Sequence, residues 1–478
     1  MNVLAIDQGT SATKALLVGP GREVLGRGEV PVRTRSVAGG GVEADPEELF
    51  GSVVAAGATA LAAARAPAHA VALANQGETV LAWDRATGKP LTPAIVWQDR
   101  RAAVVCERLA DRADELSAIT GLPLDPYFAA PKMTWLREHL TADGVVTTTD
   151  TWLLARLGAE YVTDAATASR TMLLDLATVT WSEAACRAFG LEAAALPAVA
   201  DCAGFAGETS AFGPALPVTG IAVDQQAALF AQRCLAAGDA KCTYGTGAFL
   251  LVTTGSVATR SSAGLSASVA WRLGGADPKT TYCLDGQVYT AGSAVRWLAG
   301  LGVLGAPDSL DEAGGTVPDS GGVIFVPALA GLGAPYWEPG ARGVLTGLRL
   351  GTERGHVARA VAEGIAASVA VLVSAACADL GRPLASLRVD GGLTRSRLLV
   401  QAQADLLQIP VLVGGSADAT ALGVAALARL GAGDTDSVAE ALGPAEVETI
   451  VEPAITADDA AERMAAFRSA LQLTLPGR

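Results

Sequence analysis

Residues 7–18 read Asp-Gln-Gly-Thr-Ser-Ala-Thr-Lys-Ala-Leu-Leu-Val, and residues 244–254 read Tyr-Gly-Thr-Gly-Ala-Phe-Leu-Leu-Val-Thr-Thr. Each is a Gly-Thr turn running into an apolar strand, and they lie about half a chain apart. The pair suggests an internal duplication, although Gly-Thr turns are common enough that coincidence stays open on these residues alone. A tight glycine turn exposes backbone N–H groups and threonine adds a hydroxyl. Two such hairpins facing each other would grip a polyphosphate from both sides. Asp7, at the end of the apolar run Val3–Ile6, would then hold a hydrated Mg²⁺ against those phosphates. A hairpin whose aspartate merely caps its own turn is an equal alternative.

Outward from these turns the chain alternates strand and helix. A second strand begins at Lys14–Val18 and a third lies within Glu23–Val32. Asp45-Pro46-Glu-Glu opens a helix, with Asp45 as N-cap, Pro46 in the first helical position and acids in the first turn. The runs His69–Ala74 and Leu387–Val389 read as buried strands, and helical patterns cover 102–117, 356–380 and 396–407. This is an α/β pattern in both halves, with a link near 225–240, where Gly238-Asp239 interrupts a helical stretch.

A length of 478 residues suggests two or three domains. Half the residues are hydrophobic but only 5% are aromatic, which suits packed helices and buried strands. With 35 basic and 49 acidic residues the net charge is −14. That argues against a duplex nucleic acid or an anionic membrane as partner, since both need a basic face. The uncharged stretch Gly364–Ala378 is bracketed by Glu363 and Asp379 and is short for a span, and Ser320–Trp337 is broken by Pro327 and Pro335. No signal peptide is visible in residues 1–20. The seven cysteines contain no CxxC pair and the three histidines are scattered. Reduced thiols in a cytoplasmic protein, with no His/Cys metal site, are the expectation.

There is no Walker A loop, no GxGxxG that follows a strand, and no Gly-x-Ser-x-Gly elbow with a convincing His partner. What remains is a polar constellation at strand ends: Asn75-Gln-Gly-Glu78-Thr79, Trp97-Gln-Asp-Arg-Arg, Asp125-Pro-Tyr127-Phe and Asp224-Gln-Gln226. Carboxylates beside Trp and Tyr suit a polyhydroxylated ligand, the acids accepting hydroxyl hydrogens and the rings covering C–H faces. Singly, each has a bland alternative: Glu78 as a loop acid, Trp97 as core, Asp224 as a helix cap.

Together these residues resemble the FGGY family of carbohydrate kinases, and within it the glycerol kinases most closely. The resemblance rests on Asp7-Gln-Gly-Thr, Asn75-Gln-x-Glu-Thr, Ala94-Ile-Val-Trp-Gln-Asp-Arg-Arg, Gly121-Leu-Pro-Leu-Asp-Pro-Tyr-Phe, Asp150-Thr-Trp-Leu and Ala168-Ser-Arg-Thr-Met-Leu. It continues through Gly220-Ile-Ala-x-Asp-Gln-Gln, Tyr244-Gly-Thr-Gly, Gly331-Leu-Gly-Ala-Pro-Tyr-Trp, Val389-Asp-Gly-Gly and Thr420-Ala-Leu-Gly. It implies a two-domain α/β fold of the actin/hexokinase/Hsp70 (ribonuclease H-like) type, residues 1–228 and 229–478, each domain around a five-stranded β-core. ATP and a small polyol or sugar would meet in the central cleft.

By that resemblance Asp7 contacts Mg²⁺. Thr10, Ser11 and Lys14 lie on the first phosphate hairpin, with Lys14 where glycerol kinases usually carry Arg. Gly245 and Thr246 lie on the second hairpin, and Gly292, Gly391 and Gly392 line the nucleotide pocket. Glu78, Trp97, Tyr127, Asp224, Gln225 and Phe249 match the polyol site, Asp224 being the general base. A homodimer or homotetramer is left open. Arg296 and Ser396 stand where Gln and Asn are common. Gly77 stands where the glycerol site has Arg. Loss of that charge-assisted bond would cost about 1.5–3 kcal/mol, roughly 10- to 150-fold. It would also free volume beside Glu78 for a larger polyol or ketose, unless Arg100 or Arg101 reaches in. A non-catalytic nucleotide switch of the same superfamily is the rival reading, against which the sugar-site acids and aromatics argue.

Overall fold

The computed structural model describes residues 1–475 apart from 416–417, 445–446 and 448. Its first sheet grows from the first Gly-Thr turn. Val3–Gln8 (β1) folds back on Ala12–Val18 (β2), which pairs antiparallel with Val24–Pro31 (β3). Helix Pro46–Ala64 (α1) follows, and the Asp45 carboxylate accepts the Glu47 N–H at 2.9 Å, as the sequence predicts. Ala70–Asn75 (β4) and Leu216–Val223 (β5) then add in parallel on the far side of β1. The order is β5-β4-β1-β2-β3, with the two-residue strand Glu208–Thr209 at the edge beyond β5. Helices Ala129–His139 (α2) and Asp224–Ala231 (α3) complete what this half gives the site.

The second half repeats the plan. Ala240–Tyr244 (β6) folds back on Ala248–Gly255 (β7) through the second Gly-Thr turn, followed by Ser266–Leu273 (β8) and Lys279–Val288 (β9). Helices Gly292–Gly300 (α4) and Arg354–Leu380 (α5), strand Leu387–Asp390 (β10), helix Arg397–Leu407 (α6), strand Val411–Val413 (β11), helix Ala419–Gly431 (α7) and strand Thr449–Val451 (β12) follow. Within the seven-stranded order β8-β9-β7-β6-β10-β11-β12, the stretch β9-β7-β6-β10-β11 matches β3-β2-β1-β4-β5. In both, an antiparallel three-strand meander is followed by two strands parallel to the first. The duplication left open by the hairpins is therefore built into the topology.

One expectation changes. The pattern at 102–117 is broken, giving Ala103–Arg108 and Ala113–Thr120 with a short 3₁₀ turn between. The helical pattern at 356–380 is present as α5, 27 residues long and carrying Glu363 and Asp379 within it. By length and composition α5 and α1 are each long and apolar enough to cross a membrane, and 78% of the α5 window is buried inside the fold against 33% for α1.

The halves are joined by more than the turn at 232–239. Helix α7 packs on α3 and on β5, β1 and β4 of the first sheet. A methyl group on Gly423 would lie 1.9 Å from the Ala227 carbonyl oxygen, so only glycine allows this approach of α7 to α3. One buried cluster accordingly mixes Val3, Ala72 and Phe230 with Leu251, Trp271 and Ala428. A separate small sheet, in the order Thr34–Val37, Gly41–Ala44, Ala94–Ile95, Val80–Trp83, Val145–Thr148, flanks the mouth of the first domain. It holds the end of the segment that carries Glu78 and the start of the one that carries Trp97.

Candidate functional site

Both hairpins open toward one cleft. In the first, the Gly9 N–H donates to the Ala12 carbonyl at 3.0 Å. The Thr10 hydroxyl donates to Gln76 Oε1 at 3.2 Å and accepts the Trp97 indole N–H at 2.9 Å. This turn is thereby tied to the segments that carry Glu78 and Trp97. Asp7 stands opposite Lys14 in the β1–β2 register. Burial, then the charge of Asp224, pushes the Asp7 carboxyl up to about 7 against the pull of Lys14. In the second hairpin the Gly245 N–H donates to Gly247 at 2.9 Å, and the Thr246 carbonyl accepts from the N–H groups of Ala291 and Ser293 at 3.0 and 3.1 Å. The Gly292 N–H bonds the Gly245 carbonyl at 3.0 Å. A methyl group on Gly391 would lie 2.4 Å from the Tyr244 carbonyl oxygen, so the chain leaving β10, with Gly392 next along it, passes directly behind this turn.

The hairpins share with Glu78, Trp97, Tyr127 and Asp224 one cleft of about 390 Å³. Glu78 lines it from the left-handed region, φ 58. That conformation costs a non-glycine residue on the order of 1 kcal/mol or more and is held by its surroundings. Its Oε1 accepts from Arg170 Nε at 2.6 Å, and a second guanidinium nitrogen of Arg170 is held by Asp285 of β9. Burial pushes the Glu78 and Asp285 carboxyls up, and the arginine opposes both shifts. Trp97 meets Tyr127 edge-on at 5.8 Å between centroids and Phe249 of β7 at 5.9 Å, forming an aromatic corner contributed by both halves.

Tyr127 is held from behind. Asp125 accepts its N–H at 2.8 Å, and the buried Lys132 of α2 donates to the carbonyls of Pro126, Tyr127 and Phe128 at 2.9, 2.5 and 2.7 Å. Burial draws the Lys132 ammonium down to about 7. Asp224 opens α3, and its Oδ1 accepts the Gln225 N–H at 2.7 Å. Burial, then the Glu78 charge, raises it to about 6, while that N–H and Lys241 pull it down. Lys241, buried in β6, donates to Gln225 Oε1 and Thr243 Oγ1, both at 2.7 Å.

Thr10, Ser11, Gly77, Glu78, Trp97, Tyr127, Asp224, Gln225, Thr246, Phe249 and Arg296 line one cleft. Asp7 and Lys14 are on the strands beneath the first hairpin, and Gly245, Gly292 and Gly391 on or against the second. Ser396 is employed elsewhere: it caps α6 by accepting the Leu399 N–H at 3.2 Å and donates to Asp311. Sequence reasoning missed Arg170, Asp285, Lys241 and Lys132. Arg170 lies inside the quoted Ala168-Ser-Arg-Thr stretch, but nothing local tells a buried clamp from a surface arginine.

Gly77 lines the cleft, and a methyl group built on it would lie 2.9 Å from Val223 Cγ2, so a side chain there needs that methyl to shift. Neither Arg100 nor Arg101 reaches in. Arg100 pairs with Asp125 at 2.9 Å, and Arg101 with Asp99 at 2.6 Å and Glu43 at 2.8 Å. The guanidinium at this end belongs to Arg170.

Among the described residues no group of three or more His, Cys, Asp or Glu side chains forms a metal cage. The donor set fits a mostly hydrated Mg²⁺ shared with phosphates, which takes one or two carboxylates. The charge of Asp224 raises the proton affinity of Asp7, a repulsion that a divalent cation relieves.

The profile of the FGGY family of carbohydrate kinases, N-terminal domain, matches residues 2–231, and that of the C-terminal domain matches residues 240–432. Between them lies the turn that follows α3. A glycerol kinase of Aromatoleum aromaticum is 42% identical over 98% of both chains. One from Thermus brockianus is 44% identical over 90% of both. The crystal structure of Plasmodium falciparum glycerol kinase with ADP superposes with a TM-score of 0.92 at 30% identity, covering 100% of this chain and 99% of that one.

Proposed function

The chain belongs to the FGGY family of carbohydrate kinases, and on that premise we propose that it transfers the terminal phosphate of ATP to a terminal hydroxyl of a small neutral polyol, glycerol or a close relative. The observation that carries this reading is the convergence of two phosphate hairpins with Glu78, Trp97, Tyr127, Asp224 and Phe249 on one cleft. The full-length similarity to glycerol kinases supports it.

Thr10, Ser11 and Thr246 hold the phosphates between the hairpins. Gly292, Gly391 and Gly392 let the nucleotide approach the backbone, and Lys14 and Arg296 add positive charge. Glu78 and Gln225 orient the polyol hydroxyls, and the aromatic corner covers its carbons. Asp224 accepts the proton as the hydroxyl oxygen attacks phosphorus in line. Mg²⁺, held through Asp7, would offset charge on the phosphates. The division into domains 1–228 and 229–478 gives the cleft its walls, and closure on both ligands keeps water out. A cytoplasmic enzyme of this kind meets ATP directly.

The test is ADP release against a panel of glycerol, erythritol, xylulose, ribulose and gluconate. Acceptor-dependent release with the neutral polyols is expected. Release that is independent of any acceptor would contradict the reading.

A further inference from the structure

β4 and β5 are parallel neighbours with Asn75 opposite Val223. The segments leaving them therefore carry Glu78 and Asp224 to the same end of the cleft. One methyl of Val223, Cγ2, lies 2.9 Å from a methyl group built on Gly77. Val223 is 3% exposed and contributes to the cleft lining immediately before Asp224.

We propose that Val223 is an acceptor-specificity residue of this site: across Gly77 it gives the cleft an apolar wall beside the reacting hydroxyl, which selects a neutral polyol whose carbon against that wall bears hydrogen or methyl rather than hydroxyl. The inference rests on the polyol-kinase reading above and sharpens it. A hydroxyl pressed on the two methyl groups would lose its water partners with no replacement, whereas a C–H or methyl group there gains burial. Two of the neighbouring polar groups already have partners. Arg170 is held by Glu78 and Asp285, and Gln225 Oε1 accepts from Lys241. The cation lining this end is thus already shared by two carboxylates, which disfavours a carboxylate or phosphate on the acceptor.

The experiment compares kcat/KM for acceptor pairs that differ by one hydroxyl, glycerol with propane-1,2-diol and erythritol with butane-1,2,3-triol. Val223→Thr keeps the shape of the wall and gives it a hydroxyl. In at least one pair the deoxy member should be used as well as its partner by wild type, and Val223→Thr should move that ratio about tenfold toward the hydroxylated member. Because Val223 Cγ2 stands 2.9 Å from a methyl group built on Gly77, Gly77→Arg alone should lose activity on all four acceptors, and Gly77→Arg with Val223→Gly should regain glycerol turnover. Ratios unchanged by Val223→Thr in an active enzyme, or Gly77→Arg alone improving glycerol, would overturn the role of Val223 and leave the kinase reading standing. A wild type that phosphorylates none of the acceptors would overturn both.

Discussion

Asp224 can accept a proton only while ionised, and burial together with Glu78 raises its carboxyl to about 6. Turnover should therefore be level above about pH 7 and fall about tenfold per unit below 6, whereas an ordinary aspartate, near 3.9, would hold the rate to about pH 5. A kcat profile still flat at pH 5 would remove Asp224 from this role. Asp224→Asn should lower kcat by about 10²- to 10⁴-fold with ATP affinity kept, read by single-turnover kinetics and calorimetry. Arg170→Met should leave Glu78 and Asp285 as unpaired buried acids, at about 3–5 kcal/mol, seen as a lower melting temperature and a raised acceptor KM. Arg170→Lys should recover part of both. Most of the contact residues were legible at this scale because Glu78, Trp97, Tyr127 and Asp224 each sit in a polar run after an apolar one. Arg170 and Lys241 were not, since what makes them functional is a partner 92 residues away in one case and 16 in the other. The approach of Val223 to Gly77 was not legible for the same reason: the two meet only through strand pairing.

At the scale of elements, the helix that opens at Asp45-Pro46 and the strands around the two Gly-Thr turns follow from local capping and apolar patterning. The small sheet of Thr34–Val37, Gly41–Ala44, Ala94–Ile95, Val80–Trp83 and Val145–Thr148 does not. Its strands are short and pair across distant sequence, which no local period records. Helix α2 supplies a testable device. Its Lys132 gathers three successive carbonyls and so fixes the turn that presents Tyr127. Lys132→Met should leave those carbonyls without this donor, lowering stability by on the order of 3 kcal/mol. It should raise acceptor KM about tenfold or more while ATP KM stays put. Equal effects on both substrates would mean that Lys132 serves folding alone.

For the whole molecule, the repeated five-strand cores place one Gly-Thr hairpin on each side of the cleft, and Phe249 and Asp285 of the second half line it together with residues of the first. The resemblance read from sequence anticipated this arrangement. It did not foretell how α7 returns from the second half to pack on the first sheet, which follows from the approach allowed at Gly423. A site drawn from both halves implies closure on its ligands. Scattering with glycerol and a nonhydrolysable ATP analogue should give a smaller radius of gyration than the free protein, and an unchanged value at saturation would count against closure. The most direct test of the central claim is the product itself, followed by phosphorus NMR with ATP, Mg²⁺ and glycerol. A new phosphomonoester on the terminal carbon should grow in step with ADP and vanish in Asp224→Asn. Inorganic phosphate as the sole new resonance, or a phosphomonoester made equally well by Asp224→Asn, would contradict it.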